Sequence, residues 1–418
     1  MTWARLPIKR LGDVFLGKMI QPEPKSESDV AAPYLRAAHV QPNGQIIDVD
    51  DKTMWFSEGE LRLHDLRADD VVIVEGGAGY GRSAVVRTDR KGWGFQNSIV
   101  RVRPRPSKAT GRFLDYALQA ALAAGEIEIA CFTATIPHFT ADKVGAFLVP
   151  APPMGEQRAI ADYLDRETAR IDTLIEEQKR LIEMLRERRS ALTDATVWSG
   201  LDPKAPQGPT GIDPAPRAPV HWRRVRNKNL FFESSAVSVG GDEELLTVSH
   251  LTGITPRSEK QNVTMIEAET LEGYRLVEPG DLVINTMWAW MGALGASKIS
   301  GVVSPAYGVY RPLTQVDVEP RYFDYLYRSR PYVTEMTRHS RGIWESRLRL
   351  YPESFLRLPV VLPPVDEQRR IADFLDEQTL KIDALIVEAE RFVQLASERR
   401  AALIMAAVTG EIDVREGA

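Results

Sequence analysis

Apolar positions recur at helical spacing in two long stretches of the chain and at shorter, strand-like spacing elsewhere. In the first stretch Ile160, Leu164, Ile171, Leu174, Leu181, Leu185 and Leu192 stand three, four or seven apart. In the second, Ile371, Leu375, Ile382, Leu385, Phe392 and Leu403 hold the same phases. This is a heptad stripe, widened on one side by Ile175, Ile182, Ile386 and Val393. Each stretch follows a proline pair, Pro152-Pro153 or Pro363-Pro364, which cannot sit inside a helix. Gly155 and Asp366 then stand where an N-cap belongs, before a glutamate suited to the positive end of the helix dipole. About 42 residues at ~1.5 Å each make a rod of roughly 60 Å, too long for the core helix of a small domain. The spacing therefore predicts helices over 153–198 and 363–411. A lone stripe needs a partner, and two matching rods in one chain are expected to pair with each other. An intervening domain favours antiparallel pairing, with the two domains at opposite ends. Gln178, Arg188 and Arg399 interrupt the stripe and are expected to fix register or to meet other subunits.

The two stretches are copies. Glu156-Gln157-Arg158-Ala159-Ile160-Ala161-Asp162-Tyr163-Leu164-Asp165 returns as Glu367-Gln368-Arg369-Arg370-Ile371-Ala372-Asp373-Phe374-Leu375-Asp376, 211 residues later. The match runs without a gap to Asp202/Asp413 with 23 identities in 47 positions, which chance does not produce. The remaining halves correspond more faintly. Asp70-Val71-Val72-Ile73 matches Asp281-Leu282-Val283-Ile284, Arg103-Pro104 answers Arg311-Pro312, and Phe113-Leu114-Asp115-Tyr116 answers Tyr322-Phe323-Asp324-Tyr325. Short β-rich runs surround these blocks (71–74, 84–87 and 99–102; 282–284, 302–303 and 308–310), and helices are expected at 112–124 and 320–339. The fold class is α+β: two globular domains, 1–152 and 220–362, separated by the two long helices of an antiparallel coiled coil, with an internal pseudo-two-fold repeat. The Pro- and Gly-rich stretch 199–219 reads as a linker.

Composition narrows the class only a little. With 44% hydrophobic and 27% charged residues, the chain has the make-up of a soluble globular protein of more than one unit. No apolar run approaches the ~18 residues needed to cross a bilayer, and Met1-Thr2-Trp3-Ala4-Arg5 lacks the apolar core of a secretory signal. The lone Cys131 fits a reducing compartment, so a cytoplasmic protein is expected. A net charge of −5 argues at first against nucleic acid as a partner, but local basic stretches such as Arg101, Arg103, Arg105 and Lys108 coexist with it.

With the doubled Pro-Pro-x-x-Glu-Gln-x-x-Ile-Ala-x-x-Leu-Asp block in view, the chain resembles the specificity subunit of a type I restriction–modification system. Ile171-Asp172-x-Leu174-Ile175 and Ile382-Asp383-x-Leu385-Ile386 carry the resemblance further, as do Glu187-Arg188-Arg189, Glu398-Arg399-Arg400, Gly211-Ile212 and His221-Trp222. The resemblance implies two target-recognition domains, each reading half of an interrupted sequence in double-stranded DNA, with helices that set the gap. It also implies docking of two modification subunits, which bind S-adenosylmethionine and methylate adenine, and of restriction subunits that cut. The chain itself would then hold no cofactor, no metal and no catalytic group.

The residues agree with that implication. Six scattered histidines and one cysteine show no metal-ligand spacing. The Asn/Asp-Pro-Pro-aromatic loop of adenine methyltransferases is missing, and Asp50-Asp51-Lys52 is a poor nuclease motif. Gly76-Gly77-Ala78-Gly79-Tyr80-Gly81-Arg82-Ser83 nearly spells a phosphate loop, but arginine replaces the lysine and a strand follows where a helix is needed. The stretch reads better as a hairpin or DNA-facing loop, matched in the second half by 285–292. Candidate DNA contacts are Tyr80, Arg82, Lys91, Gln96 and Asn97 in the first half. In the second they are Trp288, Trp290, Lys298, Arg341 and Arg347. Arginine can take guanine bidentately and Gln or Asn can take adenine, although alternate tryptophans more often pack in a core and Asn97 more often makes a turn. Two rival readings remain: a coiled-coil scaffold that reads no DNA, and a nucleotide-binding enzyme working through 76–83.

Overall fold

The computed structural model describes residues 3–50, 52–132, 137–250, 252–259, 270–342 and 348–414. The chain divides into two compact units, Met1–Lys179 with Glu390–Ala418, and Arg180–Ala389.

The first unit contains β1 (Arg5–Pro7), α1 (Ile8–Leu11), β2 (Gly12–Leu16), β3 (Val30–Leu35), β4 (Thr53–Phe56), α2 (Glu58–Leu63), β5 (Val71–Val74) and β6 (Ser83–Val85). It continues with β7 (Gly94–Phe95), β8 (Ile99–Pro104), α3 (Gly111–Ala123), α4 (Glu126–Cys131), α5 (Ala141–Ala146) and β9 (Leu148–Pro150). The long helix α6 (Met154–Ser199) then leads into the second unit. There follow β10 (Gln207–Pro209), β11 (Arg217–Pro219), β12 (Arg223–Arg226), β13 (Phe231–Glu233), β14 (Leu246–Ser249), β15 (Gly253–Pro256) and β16 (Arg275–Val277). After them come β17 (Leu282–Ile284), β18 (Leu294–Ala296), β19 (Gly301–Val303), β20 (Gly308–Pro312), α7 (Pro320–Arg328), α8 (Arg330–Arg338), α9 (Pro352–Arg357) and β21 (Pro359–Leu362). The second long helix is α10 (Val365–Thr409).

The faint likeness between the halves is a topological identity. One four-stranded antiparallel sheet runs β2-β8-β5-β6, the other β13-β20-β17-β18. Strand alternation puts a core on each face of each sheet. Val71 and Ile73 face the cluster built around α3, while Val72 and Val74 face a second cluster with Leu35 and Phe95. Likewise Leu282 and Ile284 face the aromatic cluster of Tyr310, Tyr322, Phe323 and Tyr327, while Val283 and Val309 join Leu246 and Val303. Sheets covered on both sides explain why these runs read as continuous aliphatic stretches. At 320–339 there are two helices, not one, because Pro331 lacks the N–H needed to carry α7 onward.

The long helices begin two residues earlier than the cap pattern suggests. Gln157 N donates to Pro153 O and Gln368 N to Pro364 O, both at 3.0 Å, so prolines hold the N-cap positions and Gly155 and Asp366 lie in the first turn. The repeated glutamine fastens each helix to its unit. Gln157 Nε2 donates to Lys108 O and Pro152 O while its Oε1 accepts from Thr110 N. Gln368 Nε2 donates to Pro363 O and its Oε1 accepts from Glu319 N. The repeated aspartates complete the joint: Asp165 accepts from Arg112 and Tyr116, Asp376 from Arg321 and Tyr325.

The helices pair antiparallel, and the register is fixed reciprocally. In the first unit Arg400 Nε donates to Asp172 at 2.8 Å; in the second Arg189 Nε donates to Asp383, also at 2.8 Å. Each pair is the other displaced by 211 positions. The seam is displaced one residue from the expected stripe. Ile160, Leu164, Ile371 and Leu375 are buried in the cores of their own units, and Leu192 and Leu403 pack against those cores. Between those ends Ile175, Ile182 and Leu185 of α6 and Ile382 and Ala389 of α10 are buried, and Ile171, Ile386 and Val393 are half-buried. Leu174, Leu181, Leu385 and Phe392, expected in the pairing face, stand 45%, 37%, 51% and 41% exposed. A two-helix contact covers a narrower arc than the apolar stripe, so one row of it is left outside. Arg189 and Arg400 fix register, whereas their neighbours Arg188 and Arg399 are exposed.

The stretch 199–219 is structured where a linker is expected. Its β10–β11 hairpin carries Ile212, Ala215 and Ala218 into the second unit's core, with Trp222 beside them. The side chains of Ile212, Ala215, Ala218 and Trp222 are enough to bury a hairpin that composition alone marks as loose.

Candidate nucleic-acid interface

Two hairpin loops occupy the same place in the two units. One joins β5 to β6 over residues 75–82; the other joins β17 to β18 over 285–293. A later segment clamps each by the same backbone bond. Phe139 N donates to Glu75 O at 2.7 Å, and Leu350 N to Thr286 O at 2.9 Å, again 211 residues apart on both sides. His138 adds a bond to Glu75, and Arg341 and Arg349 exchange both backbone hydrogen bonds beside the second loop. Sequence reading missed the clamps, because His138 and Arg349 share no side-chain chemistry. The constant offset was the only signal for them.

The second loop presents an aromatic platform. Trp288, 48% exposed, stacks on Trp290 with ring centroids 6.4 Å apart and planes 19° from parallel, and Trp290 Nε1 donates to Met287 O. Neither sits in a strand; Trp288 caps a 3-10 turn, Trp290 lies within it, and Gly292 closes it in the left-handed region. Thr286 Oγ1 donates to Ala306 O and holds the loop base. Arg341 is exposed next to this loop, and Lys298 is exposed on the turn between β18 and β19. Arg347 lies outside the described residues.

The first loop is glycine-built. Gly77 and Gly81 take positive φ, and Arg82 N and Gly81 N close the turn on Gly79 O and Val74 O. A strand follows it, so no helix N-terminus faces a phosphate there. Tyr80 leans partly buried on the unit's core, and Arg82 is half-buried against Gly79. Gln96 and Asn97 form the turn between β7 and β8, where Asn97 N donates to Lys18 O and Ile99 N to Gln96 O. Lys91 is exposed on a separate turn beside Arg90, whose guanidinium covers Trp93. The structure therefore brings Tyr80 with Arg82, Gln96 with Asn97, and Trp288 with Trp290 and Arg341, and leaves Lys91 and Lys298 on turns of their own.

The basic run 101–108 is not a free cationic face. Arg101 is buried and bonds Asp65, Arg103 is bidentate on Asp70, and Arg105 pairs with Asp13. Asp50 is similarly taken up by Arg36. Among the described residues no group of three His, Cys, Asp or Glu is placed to hold a metal, and no helix is long and apolar enough to cross a membrane.

Behind the first loop, Asp115 on α3 accepts from Ser83 Oγ at 2.7 Å and from Gln119 Nε2 at 3.0 Å. Burial pushes its carboxyl up to about 6, against the pull of those two hydrogen bonds. Its partner in the repeat, Asp324, accepts from Ala296 N and so buttresses β18. A raised carboxyl binds its proton more tightly folded than unfolded, so it stabilises the fold below its unfolded value near 4. That stabilisation is lost as pH rises through 6. Melting between pH 4 and 7 should cost on the order of 3 kcal/mol from this group, and Asp115→Asn should flatten that slope. A wild-type slope in the variant would show that Asp115 does not titrate in this window.

The architecture is that of a duplicated α+β protein with two equivalent loop-bearing units on a shared pair of helices. Residues 4–184 match the family model for the type I restriction modification DNA specificity domain. The internal repeat returns the helical block of that stretch in the second half. None of the curated proteins matches the sequence. Two solved structures share the fold over nearly the whole of both chains. One, from work on complex assembly and conformational transition of the type I R-M system, aligns with TM-score 0.71 at 17% identity over 98% of each chain. The other, the HsdS subunit from Thermoanaerobacter tengcongensis, aligns with TM-score 0.53 at 17% identity over 98% of this chain and 97% of that one.

Proposed function

We propose that the protein is the DNA sequence-recognition subunit of a type I restriction–modification complex, each unit reading one half of a bipartite target. The observation that carries this reading is the repetition of one clamped hairpin loop, at one offset, with different side chains. Conserved geometry with changed chemistry is what two readers of different half-sites require, since base edges specify and the scaffold positions. The paired helices set the gap, and their exposed apolar row, Leu174, Leu181, Leu385 and Phe392, offers a place for two modification subunits. Methylation, with S-adenosylmethionine, and cleavage belong to those modification subunits and to restriction subunits; this chain works in the cytoplasm and is not an enzyme.

The test is DNA binding by the chain purified with its modification subunit. Specific binding should fall steeply with salt and depend on both half-sites. Equal affinity for unrelated duplexes would favour a scaffold that reads no DNA. Trp288→Ala should cost about 1–3 kcal/mol of specific binding, the scale of one base-pair contact, and leave non-specific binding intact. An unchanged preference in a selection from random duplexes would remove the aromatic platform from the reading surface.

A further inference from the structure

The tip of the second loop holds an indole in the open. Ala289 is fully buried in the unit's core and pins the turn between its two tryptophans. Trp288 N donates to Asn285 O, and Trp288 O accepts from both Met291 N and Ala293 N. Trp290 is half-buried, is held by its bond to Met287 O, and backs one side of the Trp288 ring. Met287 is 38% exposed beside Trp288, so the tip is apolar on a backbone tied at every one of these points.

Two arginines stand at the base of this loop. Arg341 and Arg349 exchange both backbone hydrogen bonds, so they are directly opposed across an antiparallel pair and their side chains leave from one face. Both are exposed, and among the described residues neither guanidinium has a carboxylate partner. Like charges so placed repel. An anion between them removes that cost, and a phosphate accepts hydrogen bonds from guanidinium groups with matching geometry. The residue after Arg349 is Leu350, whose N–H clamps Thr286 O, so the pair is anchored to the tryptophan loop.

We infer that Trp288 is a wedge that enters one base step of the half-site read by the second unit, while Arg341 and Arg349 grip a phosphate beside that step. The inference rests on the reading of these loops as DNA-facing and adds what this one does there. Apolar side chains pushed between stacked bases kink a duplex by about 20–90°. Stacking of the freed base on the indole offsets part of the stacking it has lost. The first loop has no such tool. Its exposed tip is Gly77 and Ala78, and its one ring, Tyr80, leans on the core. One half-site is opened, and the other is read closed.

The test is a nick moved step by step along the target duplex, bound by the full chain with its modification subunit. A nick keeps every base and relieves the cost of kinking only at its own step. Binding is expected to tighten at least about fivefold at a single step, in one half-site only. Trp288→Ala should lose that gain and Trp288→Phe should keep part of it. Trp288 is exposed, and circular dichroism checks that both variants melt as wild type does. Replacing Arg341 and Arg349 together by glutamine should reduce the salt slope of binding by about 1. Three results would overturn the wedge. One is equal affinity at every nick position. Another is a gain that survives Trp288→Ala, which would assign the kink to another element. The third is loss of the modification subunit from Trp288→Ala in size-exclusion chromatography, which would make the tryptophans a protein contact. Equal affinity of intact target and unrelated duplexes is a separate failure, because it removes DNA reading itself and the wedge with it.

Discussion

Adding four residues to both long helices, after Ile175 in α6 and after Ile386 in α10, is expected to move the preferred gap between half-sites without changing either half-site. Four residues extend a helix by roughly 6 Å, close to two base-pair steps at ~3.4 Å. The structure dictates that both helices be altered together. The two insertion points lie between the reciprocal pairs Asp172–Arg400 and Asp383–Arg189, so equal additions keep both pairs in register. Lengthening α6 alone sets one pair against the other and should abolish specific binding. Selection from duplexes with randomised gap length reads the outcome. A double insertion that keeps the original gap would show that the helices do not measure distance.

The second large effect concerns Asp70 and Asp281, the residues that open the matched Asp-(Val/Leu)-Val-Ile blocks. Both are buried at 1% exposure. Arg103 grips Asp70 through Nε and Nη2 at 2.7 Å each, and Arg311 grips Asp281 in the same way at 2.9 Å. The carboxylates also accept the backbone N–H of Arg67 and Glu278, three residues before them. Such two-pronged, charge-assisted pairs are directional and strong. Asp70→Ala or Asp281→Ala removes the two-pronged partner of a half-buried guanidinium, leaving Arg103 only Asp65 and Arg311 only Glu278, and frees a turn N–H, so each should cost about 3 kcal/mol in urea unfolding. Asp13→Ala, which removes the exposed partner of Arg105, should cost less than about 1 kcal/mol. If the three variants matched, the buried pairs would be no more than surface charges.

Much of this architecture was legible in the sequence, because repetition at fixed offset is independent of propensity. The helices, the antiparallel pairing and the β5 and β17 strands all follow from blocks that recur. What failed to show was phase and enclosure. The apolar stripe is broad enough to hold two adjacent seams, and only the ion pairs at Arg189 and Arg400 choose between them; Arg188 and Arg399 look identical on the page. The run 199–219 has the composition of a tether, yet burial of Ile212 and Trp222 outweighs the missing hydrogen bonds of its prolines. The candidate contact residues were least legible of all. Trp288 and Trp290 read as strand residues because the turn that exposes them depends on Gly292, and Arg101 and Arg103 read as a basic patch because their acidic partners are distant in sequence.

The reciprocal lock has one more implication. Helix α6 by itself carries both an Asp172 and an Arg189, and α10 carries both an Asp383 and an Arg400. Either half is therefore self-complementary, able in principle to embrace a twin turned end for end. Fusing two such halves into a single polypeptide frees each from having to match itself, so one reader can drift in meaning while the clasp stays the same.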